Sequence, residues 1–398
     1  MASADDPGRW LVLTASMGSG HNQVAGQLAG RIRRRGGDAL VVDLLEVLPA
    51  EVGSALRAGY AGMLRHAPWL YDWIFRTFFL DHERLAPGVF PLDVLAARGL
   101  RPLIRRFRPD TVVSTFHLAG QVVGRMRRLG QLDVPSVVAI TEPAAHRQWL
   151  HPGTDLFVCP YPWVAAQAQA RTGTTALAPG PLVADRFRRP TDPAAGRAGM
   201  GLAEGERAVL VSAGSWGVGG AARTAALLSS LPGMRPVVLC GRNEGLRHAV
   251  GRLPGCVGLG WRDDVPELFA ASAVLVDQSG GSACAEAFAC GLPVVLHEPL
   301  PGHGRLGARA LAEHGLATLA ENTEQLVEQV RALAELGADR DAQVARAGAA
   351  FCADPVDVLL DWRAGRYPAQ PVLTLAAGRG VRWWIGRGVR RSQAWRPS

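Results

Sequence analysis

The 398-residue sequence predicts an α/β protein built from two Rossmann-like domains that face each other across a cleft, and three observations predict it. The chain is longer than one hydrophobic core usually serves. Short apolar runs alternate with helical patterns along nearly all of it, as in doubly wound parallel sheets. That alternation breaks once, at a cluster of prolines and polar residues, and then restarts with a second glycine-rich turn.

The first unit opens with the apolar run Trp10 to Ala15, the turn Ser16-Met17-Gly18-Ser19-Gly20-His21 and a helical pattern from Asn22 to Arg35. A second strand is expected at Ala39 to Val42, ending at Asp43, with further buried strands at Thr111 to Ser114, Ser136 to Ile140 and Leu156 to Cys159. The break at Arg188-Arg189-Pro190-Thr191-Asp192-Pro193 lacks periodicity and reads as a linker. The second unit restarts at Ala208 to Ala213, followed by the turn Gly214 to Gly220 and strands at Pro236 to Cys240, Ala273 to Val276 and Pro293 to His297. Its helices are expected near Ala283 to Ala289, Arg305 to His314 and Glu324 to Leu336. The domain boundaries follow: 1–187, a linker 188–206, 207–365, and a basic tail 366–398. Ligands of open α/β sheets bind at the carboxyl ends of the strands, so two such sheets imply a cleft between them.

Composition narrows the chemistry. All 43 basic residues are arginine, which removes lysine Schiff bases and the Walker lysine, and the net charge of +8 suits anionic partners such as nucleotides, acidic lipids or nucleic acid. Six scattered cysteines show no C-x-x-C spacing, so neither a zinc site nor a redox pair is expected, and a reducing cytoplasm fits them. No apolar run reaches the length of a spanning helix, and residues 1–9 lack the pattern of a secretory signal.

The segment Asp277-Gln278-Ser279-Gly280-Gly281-Ser282-Ala283-Cys284-Ala285-Glu286 places two glycines and a hydroxyl at a helix start, where free amides and the helix dipole hold phosphate. Glu286, one turn on, is positioned for a ribose diol. The plainer alternative is a glycine-rich helix start with an exposed glutamate. His21 is the candidate general base, because a neutral imidazole at the tip of the first glycine turn can take a hydroxyl proton near neutral pH. The alternative is a histidine that caps its own helix. Glu142 is the second candidate, as base or as the group that orients His21.

These motifs together resemble the GT-B glycosyltransferases related to monogalactosyldiacylglycerol synthase and, at greater distance, the transferase that adds N-acetylglucosamine to the peptidoglycan lipid precursor. The stretch from Asp277 to Glu286, followed by Gly291-Leu292-Pro293, is similar to their donor-nucleotide motif. Gly18-Ser19-Gly20-His21 with Ala25 resembles the first family's G-x-G-H-x-x-A. Pro109-Asp110 resembles its P-D, and Thr141-Glu142 with His146, Trp149 and His151-Pro152 resembles its T-D…H…W-x-H-P. The resemblance spans about residues 10 to 350. It implies an inverting, metal-independent transfer from a uridine-diphosphate sugar, with no cofactor beyond that co-substrate. By it Gly280, Gly281 and Ser282 contact the diphosphate and Glu286 the ribose, Gly214 and Ser215 approach the phosphates, and Val257 to Trp261 border the base. Two departures bear on the donor: Ala283 stands where the family has threonine, and Gly302-His303-Gly304-Arg305 replaces its sugar-reading G-Q-E, which leaves the sugar open. His303 and Arg305 are the donor-side candidates there.

The acceptor side is expected at Gly20 and in the aromatic run from Tyr60 through Trp69, Trp73 and Phe78 to Phe79, which is either a buried helix pair or a lipid-docking face or acceptor pocket. The tail carries Trp383 and Trp384 among arginines, a composition suited to an anionic membrane surface; a solvated tail or a nucleic-acid segment are the rival readings. The whole predicts a peripheral enzyme on the inner face of the cell membrane, acting on a nucleotide sugar and a lipid such as diacylglycerol, with no nucleic-acid partner. The alternatives are a nucleotide-sugar 2-epimerase-like enzyme, a transferase with a soluble acceptor, and a non-catalytic relative.

Overall fold

Two parallel six-stranded sheets organise the computed structural model, which describes residues 6–80, 92–189 and 191–366. The first sheet contains β1 (Arg9–Thr14), β2 (Asp38–Asp43), β3 (Thr111–Ser114), β4 (Ser136–Ala139), β5 (Leu156–Val158) and β6 (Ala176–Leu177), in the order β2-β1-β3-β4-β5-β6. The second contains β7 (Arg207–Ser212), β8 (Met234–Leu239), β9 (Val257–Leu259), β10 (Ser272–Asp277), β11 (Val294–His297) and β12 (Thr318–Ala320), in the order β12-β11-β10-β7-β8-β9. Helices cover both faces, which is why the inner strands are continuous apolar runs such as Trp10 to Leu13 and Val209 to Val211, all fully buried.

The strand order reverses between β1 and β3 in one sheet and between β7 and β10 in the other. Such switch points open crevices at the carboxyl ends, and the glycine turns follow β1, β7 and β10. The expected strands are all present to within two residues at either end. Three others, β6, β9 and β12, were not anticipated; each has only two or three residues, too few to show a period.

The domain boundary departs from expectation in one place. The helix Pro355–Arg363, assigned by sequence to the second unit, packs on the first: Val356, Val358 and Leu359 join Trp10, Val12, Leu28 and Ile32 in one buried cluster. Arg31 fastens this crossing. It is almost wholly buried and donates to Asp354 at 3.1 Å, to Asp185 at 2.6 Å and to the Val183 carbonyl at 2.6 Å. A helix this short has an apolar stripe but nothing in its pattern that says which sheet receives it. The largest core cluster is also shared, running from Trp149 and Phe157 through Tyr161 and Phe187 to Leu268 and Leu275. The two sheets therefore meet across apolar contact beneath the cleft.

Candidate active site

Loops from both switch points line one cavity of about 1060 Å³. From the first domain come Gly18 to His21 after β1, Phe116 and His117 after β3, and Thr141 and Glu142 after β4. The second contributes Gly214 and Ser215 after β7, Ser279 to Ser282 after β10, Glu286 and His303. The two glycine turns nearly touch: a methyl group on Gly20 would lie 3.3 Å from the Ser282 hydroxyl. Glycine at position 20 thus lets the tip of the first turn approach the helix Ser282–Ala289 across the cleft.

His21 opens the helix Gly20–Arg34 and its ring is held, not free. Nδ1 lies 2.8 Å from the Thr115 carbonyl oxygen and 3.1 Å from the Thr141 hydroxyl. A carbonyl only accepts, so Nδ1 carries the proton and Nε2 keeps its lone pair. Phe116 meets the ring edge-on at 5.1 Å between centroids. Burial lowers the His21 pKa below its usual 6.5, against the opposing pull of Glu142, so the ring is a neutral base at neutral pH. The group that orients His21 is therefore the Thr115 carbonyl. Glu142 pairs instead with His146, Oε2 to Nε2 at 3.4 Å. Burial by itself would raise the Glu142 carboxyl, but His146, His303 and His21 around it hold it well below the carboxylate range. His117 also lines the cavity, packed edge-on against His146 and Phe79, and burial keeps its ring far less basic than an exposed histidine.

On the facing side, Asp277 at the end of β10 shapes the phosphate-type turn. Its Oδ2 accepts from the Ser279 amide at 2.8 Å, the Ser279 hydroxyl at 2.9 Å and the Gly280 amide at 2.8 Å. The Gly281 amide is bonded in turn to the Ser279 hydroxyl at 3.2 Å. The amides of Gly280 and Gly281 are thus engaged within the turn, and the donors left for an anion are the first-turn amides of Ser282 and Ala283, which have no helical acceptor. Gly280 serves by shape: its φ is +63°, and a methyl group there would meet the backbone of Gly307 and Ala308 at 3.0 Å. Glu286 lies one turn along the helix, its carboxyl pushed up to about 7 by burial although Arg186 opposes the shift.

The remaining sequence candidates divide. Tyr60 and Phe78 line the cavity together with Tyr71 and Phe75. Trp69 and Trp73 point outward, 71% and 58% exposed. Arg305 does not line the cavity; its guanidinium is bonded to Asp72 of the first domain at 3.0 and 3.1 Å. Val257 to Trp261 lie off the cavity as well, whereas Arg186 and Phe187, on the segment that joins the domains, form part of its wall. Trp383 and Trp384 fall outside the described residues. Sequence reasoning gave no individual role to Thr115 or Asp277 and placed Tyr71 only within the aromatic run, with no hint of its partner. An acidic residue ahead of Ser-Gly signals the side-chain turn at Asp277, while nothing local marks Thr115.

Residues 21–176 match the monogalactosyldiacylglycerol (MGDG) synthase family. A processive diacylglycerol beta-glucosyltransferase of Bacillus mycoides is 25% identical over 335 residues, covering 81% of this chain and 84% of the relative. Among solved structures, Acinetobacter baumannii MurG superposes with a TM-score of 0.56 at 14% identity, over 90% of this chain and 99% of its own. The calicheamicin glycosyltransferase does so with a TM-score of 0.57 at 17% identity, over 90% and 98%. Taken with two facing Rossmann-like sheets and a cleft lined by their switch-point loops, these likenesses make the chain a glycosyltransferase of the GT-B fold that resembles the monogalactosyldiacylglycerol synthase family.

Proposed function

We propose that this enzyme moves a sugar from a uridine-diphosphate sugar to a hydroxyl of a lipid acceptor such as diacylglycerol, with inversion at the anomeric carbon and without a metal. The observation that carries the reading is His21, whose Nδ1 proton is committed to Thr115 while Nε2 stays unprotonated, beside the turn that faces the first-turn amides of Ser282 and Ala283. Base and anion site thus sit on opposite lips of one cleft.

In the proposed reaction the acceptor oxygen forms a bond to the anomeric carbon as its proton passes to His21 Nε2. The bond from that carbon to the diphosphate oxygen breaks, and the leaving group carries away the electron pair. A single displacement from the opposite side inverts the configuration. Charge developing on the diphosphate meets the Ser282 and Ala283 amides and the positive end of their helix. Glu286 takes the ribose. A lipid acceptor is supported by the apolar wall on the first domain, where Leu56, Met63, Ile74, Phe75 and Phe79 face the same space, and by the names of the relatives. No helix among the described residues is long and apolar enough to cross a membrane. Contact with an anionic inner membrane face is assigned to the exposed Trp69 and Trp73 and, by composition alone, to the arginine and tryptophan tail.

The test combines purified enzyme, EDTA, a panel of uridine-diphosphate sugars and vesicles containing diacylglycerol, read by mass spectrometry. A new glycolipid together with uridine diphosphate is expected. His21→Ala should lower turnover by about 10²–10⁴-fold with nucleotide affinity nearly intact. An unchanged rate in that variant removes histidine from the mechanism. Conversion of the sugar nucleotide without acceptor would instead establish the epimerase alternative.

A further inference from the structure

The helix Pro68–Phe78 belongs to the acceptor side by sequence and by its apolar contacts, yet its inner face grips the second domain. The Tyr71 hydroxyl lies 2.8 Å from His303 Nδ1. Asp72, the next residue, accepts from the Gly302 amide at 3.2 Å and from the Arg305 guanidinium at 3.0 and 3.1 Å. Packing is close enough that a methyl group on Gly302, whose φ is +72°, would meet the Tyr71 ring at 2.7 Å and Phe75 at 2.9 Å. Tyr60, on the preceding helix Ala50–His66, stacks edge-on against both Tyr71 at 5.3 Å and Trp216 of the second glycine turn at 5.6 Å. A side recess of about 120 Å³ opens among Tyr60, Trp216, Gln278, Ser279 and His303.

We infer that Tyr71 and Asp72 are positioning residues for the donor sugar, holding the segment Gly302 to Arg305 so that His303 reads the sugar in this recess. The inference rests on the nucleotide-sugar reading given above. Its physical basis is the consumption of one ring nitrogen: with Nδ1 on Tyr71, only Nε2 remains for a ligand, and the bond fixes the ring plane. Asp72 ties down the segment on either side of His303, through the Gly302 amide before it and the Arg305 guanidinium after it. The sugar recess therefore has a floor from one domain and a brace from the other, and it is complete only when the domains are in contact. The nucleotide, in contrast, meets turns that belong to the second domain alone.

That difference supplies the test. The inhibition constant of uridine diphosphate reports the glycine turns, whereas KM for uridine-diphosphate glucose and galactose reports the turns plus the sugar recess. Tyr71→Phe removes one hydroxyl from a packed ring, and Asp72→Asn keeps size while removing charge. Each should raise KM for the preferred sugar nucleotide about tenfold, the size of one or two hydrogen bonds, and narrow the preference between the two sugars, with the inhibition constant of uridine diphosphate changed less than about twofold. Asp72→Glu should recover part of the loss. Equal changes in both constants would mean a merely structural role, and unchanged KM and sugar preference in both variants would overturn the inference. If the unaltered enzyme transfers neither sugar to any acceptor, the functional reading fails first, and that result is distinct from a working enzyme indifferent to these two substitutions.

Discussion

At the scale of single residues, the site is a set of committed hydrogen bonds. In the proposed mechanism His21 is the base, because its Nδ1–H donates to the Thr115 carbonyl and burial lowers its affinity for a second proton. The pH dependence follows with a definite sign. Below the His21 pKa the ring is protonated and cannot accept a hydroxyl proton, so kcat/KM rises with pH and then levels. Since the shift is downward, the midpoint of this acid limb should fall below pH 6.5, and His21→Ala should abolish the limb; a pH–rate profile of both proteins is the check. Of these residues His21 was legible in the sequence, because a histidine at a glycine turn after the first strand stands out locally. Thr115 was not, since its part is played by a backbone carbonyl brought in from β3.

At the scale of elements, the helix Pro68–Phe78 is the most informative. Its aromatic density was evident from sequence, and the helix has a buried aromatic side and an exposed one, the second of which the proposed function assigns to lipid docking. Tyr71 and Phe75 are buried toward the cavity and the second domain, while Trp69 and Trp73 face out. Spacing of i, i+4 links each pair, but periodicity alone cannot say which stripe is inward when both are aromatic. The outer pair has little to pack against, so Trp69→Ser combined with Trp73→Ser should change stability by less than about 0.5 kcal/mol. The same double variant should weaken co-sedimentation with vesicles of anionic lipid about tenfold or more, given the apolar area two indoles bring to an interface. Unaltered vesicle binding would move the docking face elsewhere on the surface.

At the scale of the whole molecule, the couplings between the two sheets include the apolar cluster beneath the cleft, the contacts of Tyr71 and Asp72 above it, and the return of the helix Pro355–Arg363 to the first domain. Arg31 secures the last of these, its side chain only 3% exposed between Asp185 and Asp354. Replacing it with leucine leaves two carboxylates and a carbonyl without their donor. Both carboxylates retain some solvent and other arginines, Arg34 at Asp185 and Arg35 at Asp354, so the loss should be about 2 kcal/mol, short of that for a fully buried pair. Urea unfolding of Arg31→Leu gives the value directly, and a change near zero would show that the apolar contacts alone hold the crossing.

What the sequence determined by itself was what is written in short-range pattern: two α/β units, nine of the twelve strands described, the three glycine turns, the place of His21 in the first of them and the helix start at Ser282. Each arises from apolar period, turn chemistry or helix-end physics within a dozen residues. Only the tertiary structure decided which partners those residues meet. Thr115 reaches His21 across 94 positions, Tyr71 reaches His303 across 232, and Arg31 reaches Asp354 across 323. Contacts at such separations leave no period in the chain. They come from sheet order, from the crossing of the last helix and from the closeness of two glycine turns, and these are properties of the folded whole.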